Sequence, residues 1–197
     1  MPFTFTSKTM ITAAAVLLMT APAAVAQSED YQERLTELAN TAIAEFAQEP
    51  IITDAIIAQN IETGEYGFAE IEALDEEWRA EASGGDGDMI STALNSEASQ
   101  WLAGIQKQSD GLYTEIFVTD AVGLNVAQSA ATSDYWQGDE DKWRDSFGVG
   151  AGAIHIGEVE QDESTQMLQT QVSITITDPE SGEPIGAVTV GIDLSKI

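Results

Sequence analysis

LQTQVSITITDPESGEPIGAVTVGID, residues 168–193, is the stretch that decides the fold. From Leu168 to Thr177 apolar and polar residues alternate. Side chains alternate between the faces of a strand, so Val172, Ile174 and Ile176 share one face and Gln169, Gln171, Ser173 and Thr175 the other. Asp178-Pro179-Glu180-Ser181-Gly182 is a run of turn formers. Pro184 to Asp193 then alternates again, with Val188, Val190 and Ile192 together. Two alternating runs about a turn predict a β-hairpin.

Working outward, Ala153–Val159 is a further alternating run, with Asp162-Glu163-Ser164 as a second turn. Glu115–Thr119 and Leu124–Ser129 read as strands on either side of the turn Asp120-Ala121-Val122-Gly123. That makes five strands. Residues 133–147 are polar and aromatic and predict a loop running into a short helix over Glu140–Phe147, ended by Gly148, Gly150 and Gly152. Before Gln108 the period is helical. Leu35, Leu38, Ala42 and Phe46 form one stripe, with Ser28 as a candidate N-cap. Pro50 opens a second helix carrying Ile52 and Ile56, since a first helical position tolerates proline. Ile71, Leu74 and Trp78 mark a third helix. After the loop Ser83–Asp88, Ile90, Leu94, Ala98, Trp101 and Ile105 mark a fourth, which stops near Ser109-Asp110-Gly111. Helices first and an antiparallel sheet afterwards predict an α+β domain. It spans 27–197 as a single domain, with a helical part 27–111 and a sheet part 112–197.

The first 26 residues read as an export signal. Lys8 is their only charge, an apolar run extends from Met10 to Met19, and the segment ends Ala24-Val25-Ala26. A basic start, a short apolar middle and a small-x-small end are the features of a secretory signal peptide. Cleavage after Ala26 would leave Gln27 as N-terminus and place the chain in the periplasm or outside the cell. The alternative is an uncleaved anchor, against which stand the length of the run and Pro22.

Composition narrows the function. The chain has 197 residues, 34 of them acidic against 7 basic, and a formal charge of −27. Such a surface repels phosphate backbones, which argues against nucleic acid as a partner. With no cysteine and one histidine, thiolate and multi-histidine metal sites and cysteine nucleophiles are excluded or disfavoured. No Gly-x-Ser-x-Gly, His-Glu-x-x-His or phosphate-loop motif occurs, so neither an enzyme nor a cofactor is expected. Asp86, Asp88, Asp139, Asp141, Asp162 and Glu163 are hard ligands, yet none falls in the twelve-residue calcium-loop pattern, and no metal is assigned.

The strand half resembles a Cache domain, the PAS-like extracytoplasmic sensor module of bacterial chemoreceptors and sensor kinases. The matching text is Glu115 to Gly123, similar to the family's opening hairpin, then Thr132-Ser133-Asp134-Tyr135-Trp136-Gln137-Gly138-Asp139-Glu140-Asp141-Lys142-Trp143, which resembles its pocket-side loop and helix, and Gly186 to Asp193, like its closing strand. The resemblance covers about 112–197, and the helices before it fit the family's long N-terminal helix more loosely. It implies N-terminal helices packed on a five-stranded antiparallel PAS-like sheet, and ligand binding outside the membrane. Receptor Cache domains are usually followed by a membrane helix and a signalling domain. Neither follows in this sequence, so occupancy would pass to a partner receptor or transporter.

Asp134, Tyr135, Trp136, Asp139, Trp143 and Arg144 crowd into eleven positions. Rings beside carboxylates suit an amino or other cationic group, and Arg144 could hold a ligand carboxylate, which together fit an amino acid or amine. The plainer reading makes the tryptophans core and the acids a solvated face. His155 faces opposite Ile154 and Ile156, toward either the ligand or solvent. Gln171 and Ser173 share the polar face of their strand, and Ser129 ends another. The expected ligand position is between the sheet and residues 130–147. Two further readings stay open: a homodimer through the N-terminal helices, and a structural or protein-interaction module without a pocket.

Overall fold

The computed structural model describes residues 21–161 and 168–197. The helical part comprises α1 (Ala21–Leu38), a π-helical turn (Ala39–Ile43), α2 (Ala44–Ala47), α3 (Pro50–Thr63), α4 (Phe68–Ala82), α5 (Met89–Leu94) and α6 (Glu97–Gln108). The sheet part comprises β1 (Tyr113–Thr119), β2 (Asn125–Gln128), a single helical turn α7 (Asp141–Arg144), β3 (Ile154–Ile156), β4 (Glu160–Gln161), β5 (Leu168–Thr177) and β6 (Pro184–Asp193). The fold is α+β. The sheet is antiparallel in the order β2-β1-β6-β5-β3, with β4 also on β5.

The β5–β6 hairpin forms as its alternation predicts, from Gln169 opposite Asp193 to Thr177 opposite Pro184. Asp178 makes the turn. Its Oδ1 accepts from the Glu180 amide at 2.7 Å and the Ser181 amide at 3.3 Å, which holds the carboxyl below its ordinary range. Gly182 closes the turn at φ 76°, a conformation that costs a side chain but not glycine. The chain is not a simple meander: β6 inserts between β5 and β1, where Val118 faces Val188 and Phe117 faces Thr189.

One face of this sheet is the core. Ile116, Val118, Ala127, Val172, Ile174, Ile176, Val188, Val190 and Ile192 pack on Leu35, Ala39, Ile43 and Phe46 and on Ile52, Ile56 and Leu102. Each such aliphatic side chain contributes about 1.5–3 kcal/mol on full burial.

Several elements differ from their sequence reading. The helical stripe is Leu35, Ala39, Ile43 and Phe46 rather than one through Ala42, because the π turn rotates the face by its extra residue. α1 begins at Ala21 and runs through Ala26, Gln27 and Ser28, so Ser28 does not open it. The single helix expected over Ile90–Ile105 is two, α5 and α6, divided where the Ser96 side chain caps the Ser99 amide at 3.1 Å. Glu81 holds the start of α5, accepting from the Met89 and Ile90 amides at 3.0 Å each. The helix expected over Glu140–Phe147 is the one turn α7. The run Ala153–Val159 pairs only over β3, and with β4 the sheet has six strands rather than five. The expected signal segment, as far as residue 20, and the expected turn Asp162-Glu163-Ser164 lie outside the described residues. No described helix is long and apolar enough to cross a membrane.

Asp120 ties the two parts together. It is wholly buried, between β1 and β2. Its Oδ1 accepts from the Val122 and Leu124 amides at 3.0 and 2.9 Å, and its Oδ2 from Gln59 Nε2 and Thr63 Oγ1 on α3 at 2.9 and 2.8 Å. This turn fixes where the chain sets out on residues 130–152.

Candidate functional site

The second face of the sheet is polar, and the register arranges it in rows. Gln128, Phe117, Thr189, Ser173 and His155 stand directly opposite one another across β2, β1, β6, β5 and β3. Cross-strand partners share a face, so these five form one row. Glu115, Gly191 and Gln171 form the row to one side, and Thr119, Ala187 and Thr175 the row to the other. The Ser173 and Thr189 hydroxyls are 2.9 Å apart. Gln171 Nε2 donates to Glu115 Oε1 at 2.7 Å, reaching over Gly191, where a Cβ would strike Glu115 and Thr114.

Residues 130–152 return over this face, and α7 packs on β3 and β5. Lys142 Nζ lies 5.6 Å from the centroid of the Phe117 ring, a cation–π distance, and 3.4 Å from Gln137 Oε1. Gln137 is buried and donates to the Asp134 carbonyl at 2.9 Å. Trp143 donates its indole N–H to the Asp120 carbonyl at 3.2 Å and lies against Phe147. His155 Nδ1 is 3.5 Å from Asp145 Oδ2.

Two features of this layer are unusual. Gln128 Nε2, Gln128 Oε1 and Thr175 Oγ1 are buried and have no hydrogen-bond partner among the described residues. A buried polar group left unpaired costs about 1–3 kcal/mol, so three on one face need an occupant or a compensation. Lys142 makes no ion pair among the described residues and is half-buried, whereas Lys107 and Lys196, which also make none, are exposed, and the three arginines are each paired: Arg34 with Asp30, Arg79 with Asp75 and Arg144 with Asp141. An ammonium, an amide and hydroxyls therefore share the polar face. This set can bind a small polar molecule with an anionic end.

Of the residues singled out from sequence, the structure brings Trp143, His155, Gln171 and Ser173 to this layer. Asp134 is elsewhere: its Oδ2 accepts from Ser133 Oγ at 2.6 Å, and its carbonyl from Asn125, Thr132 and Gln137. Tyr135 turns toward the helices and stacks on Trp78 at 5.2 Å. Burial pushes its phenol up to about 12, with the charges of Asp120 and Glu62 adding. Trp136 clips the β1–β2 turn, its indole N–H donating to the Val122 carbonyl at 2.9 Å. Asp75 of α4 holds both residues, its Oδ1 accepting the Tyr135 and Trp136 amides at 2.9 and 3.0 Å. Asp139 is exposed. Arg144 is half-exposed on Asp141, whose hydrogen bond raises its already high pKa. Ser129 Oγ accepts from the Ile116 amide at 2.9 Å and braces the strand pair. Lys142, Gln137, Phe117 and Gln128 were not among the residues singled out. A signal for Lys142 did exist, since it and Arg144 are the only cations in residues 130–152. No group of three or more His, Asp or Glu able to hold a metal ion occurs among the described residues.

No protein-family model matches the sequence, and no curated protein sequence matches it. Solved structures similar to this chain are sensor domains of histidine kinases and chemoreceptors, which are Cache-type domains. The V. cholerae histidine kinase DctB sensor domain is 14% identical, with 85% of this chain and 58% of that one covered and a TM-score of 0.39. The E. coli DcuS sensor domain is 18% identical over 65% of this chain and 89% of that one, with a TM-score of 0.34. The ligand-binding domain of the Pseudomonas aeruginosa amino acid chemoreceptor PctC, solved with GABA, is 13% identical over 62% and 51%, with a TM-score of 0.35. The chain thus spans between half and three-fifths of the length of DctB and PctC.

Proposed function

We propose that this chain is an exported Cache-type binding domain for a small organic carboxylate, of which an amino acid is the leading class. The carboxylate sits on Lys142, between the polar face of the sheet and residues 130–152. The observation that supports this reading is a half-buried ammonium without an ion pair on the same sheet face as three unpartnered buried polar atoms. Glu115 is the only carboxylate in the three rows, and it offers a place for a ligand ammonium. On this reading residues 1–26 direct export, the domain binds rather than catalyses, and its occupancy is passed to a membrane receptor or transporter.

The test is a thermal-shift panel of amino acids, simple carboxylates and amines, followed by calorimetry, because a ligand that binds only the folded state raises its Tm. A carboxylate should bind, and Lys142→Met should weaken it about 10–150-fold, which corresponds to the ~1.5–3 kcal/mol of a hydrogen bond to a charged group. Unchanged affinity in Lys142→Met would remove the carboxylate from that position. A panel without any shift would favour a protein-interaction module.

A further inference from the structure

A cavity lies away from the polar face, beyond the edge strand β2, where α3, α4 and α5 meet the loop carrying Tyr135. Its volume is about 480 Å³, and its lining includes Leu74, Glu77, Asp88, Met89, Asn125 and Tyr135. That volume lies within the range of small-molecule sites.

Its chemistry is of one sign. Glu77 and Asp88 are both exposed, and neither side chain is hydrogen-bonded or ion-paired among the described residues. Asn125 is buried, and its Oδ1 is an acceptor with no partner, although its Nδ2 donates to Thr132 Oγ1 and the Asp134 carbonyl. No cationic side chain lines the cavity. Leu74 and Met89 provide apolar surface, and the Tyr135 ring is held in place by its stack on Trp78. The walls are fixed: Glu81 ties α4 to the start of α5, and Asp75 ties α4 to the Tyr135 amide.

Acceptors and carboxylates without donors, next to an aromatic ring and aliphatic side chains, match a cation with an apolar body. We propose that this cavity is a second binding site, for a small organic ammonium. Its apolar part lies along Leu74, Met89 and Tyr135, and its N–H groups go to Glu77, Asp88 and Asn125. The site is separate from that at Lys142 and stands or falls without it.

Phenethylamine tests it, with phenethyl alcohol as the uncharged control and sodium chloride matching ionic strength. Calorimetry and Trp fluorescence on the full chain should show saturable binding of the amine and at least tenfold weaker binding of the alcohol. Glu77→Gln combined with Asp88→Asn should weaken the amine tenfold or more. Both residues are exposed and neither side chain braces the fold, so circular dichroism should show that variant folded. Ala93→Trp, which fills the cavity, should abolish binding, and Lys142→Met should leave it unchanged. Three results would each overturn the proposal: no saturable binding, binding undiminished in the double variant, or loss of binding in Lys142→Met.

Discussion

Replacing Asp120 by alanine should be among the most damaging single changes in the chain. The carboxylate is wholly buried and accepts four hydrogen bonds of 2.8–3.0 Å. Its four donors do not suffer equally. Gln59 Nε2 also donates to the Asn125 carbonyl at 3.2 Å, and Thr63 Oγ1 to the Gln59 carbonyl at 3.0 Å, so each keeps a partner. The Val122 and Leu124 amides have no other acceptor among the described residues, and each would be left unpaired in the β1–β2 turn. At about 1–3 kcal/mol per unpaired buried donor, with a smaller loss at Gln59 and Thr63, the sum is about 4 kcal/mol. For a domain of this size that lowers Tm by roughly 8–16 °C. Asp120→Asn keeps an oxygen for the two amides, while its NH2 meets Gln59 and Thr63, whose amide and hydroxyl can turn to accept. It should cost about 1–2 kcal/mol. Urea denaturation followed by circular dichroism measures both. A cost below about 1 kcal/mol for alanine, or an asparagine variant as unstable as alanine, would refute the assignment of the turn amides as the principal dependants.

Three further outcomes follow from the same geometry. Asp75→Ala frees the Tyr135 and Trp136 amides and should cost about 2–4 kcal/mol with a red shift of Trp fluorescence, whereas Asp75→Asn, which keeps an acceptor, should cost less than half as much in the same urea titration. Gly138→Ala drives a Cβ into the Trp136 indole and should cost about 1–3 kcal/mol in urea, as overpacking does. The Tyr135 phenol is raised from 10.0 to about 12, so the folded state holds that proton longer than the unfolded state and stability falls as pH rises from about 10 through 12. Tyr135→Phe should remove about 2–3 kcal/mol of this alkaline loss, at 1.36 kcal/mol per unit, as read by urea midpoints between pH 9 and 12.

The β5–β6 hairpin was legible because its signals are local: a period of two, a turn of Asp, Pro, Glu, Ser and Gly, and a return of the same period. Where the helical part escaped the sequence, the reason is also physical. Ile90, Leu94, Ala98, Trp101 and Ile105 keep helical spacing straight through the break at Ser96, so the pattern carries no trace of it. Only the Ser96 cap divides α5 from α6. The π turn at Ala39–Ile43 leaves even less, since one added residue moves the buried stripe from Ala42 to Ala39 and Ile43 without any change in composition. Likewise β4 is two residues long, too short for alternation to show.

The site divides along the same line. Gln171, Ser173, Thr175 and His155 could be assigned to one side of their strands because strand faces follow from counting. Their neighbours required the register, which puts Phe117 opposite Thr189, and so joins the β1–β2 pair to the β5–β6 hairpin in one row, only because β6 inserts next to β1. In residues 130–147 no period exists to count. Tyr135 and Trp136 are adjacent, yet they diverge, one onto Trp78 and the other onto the Val122 carbonyl, under the control of a carboxylate about sixty residues upstream. The charge that this loop brings to the sheet depends on which of its side chains turns inward. Asp134 facing the sheet would suit an amine; with Asp134 on Ser133 and Lys142 over Phe117, the same stretch presents an ammonium instead, which is why the proposed ligand is a carboxylate. Nine positions, Asp134 to Lys142, in an aperiodic segment therefore decide which charge faces the sheet, while the sheet beneath them is unchanged.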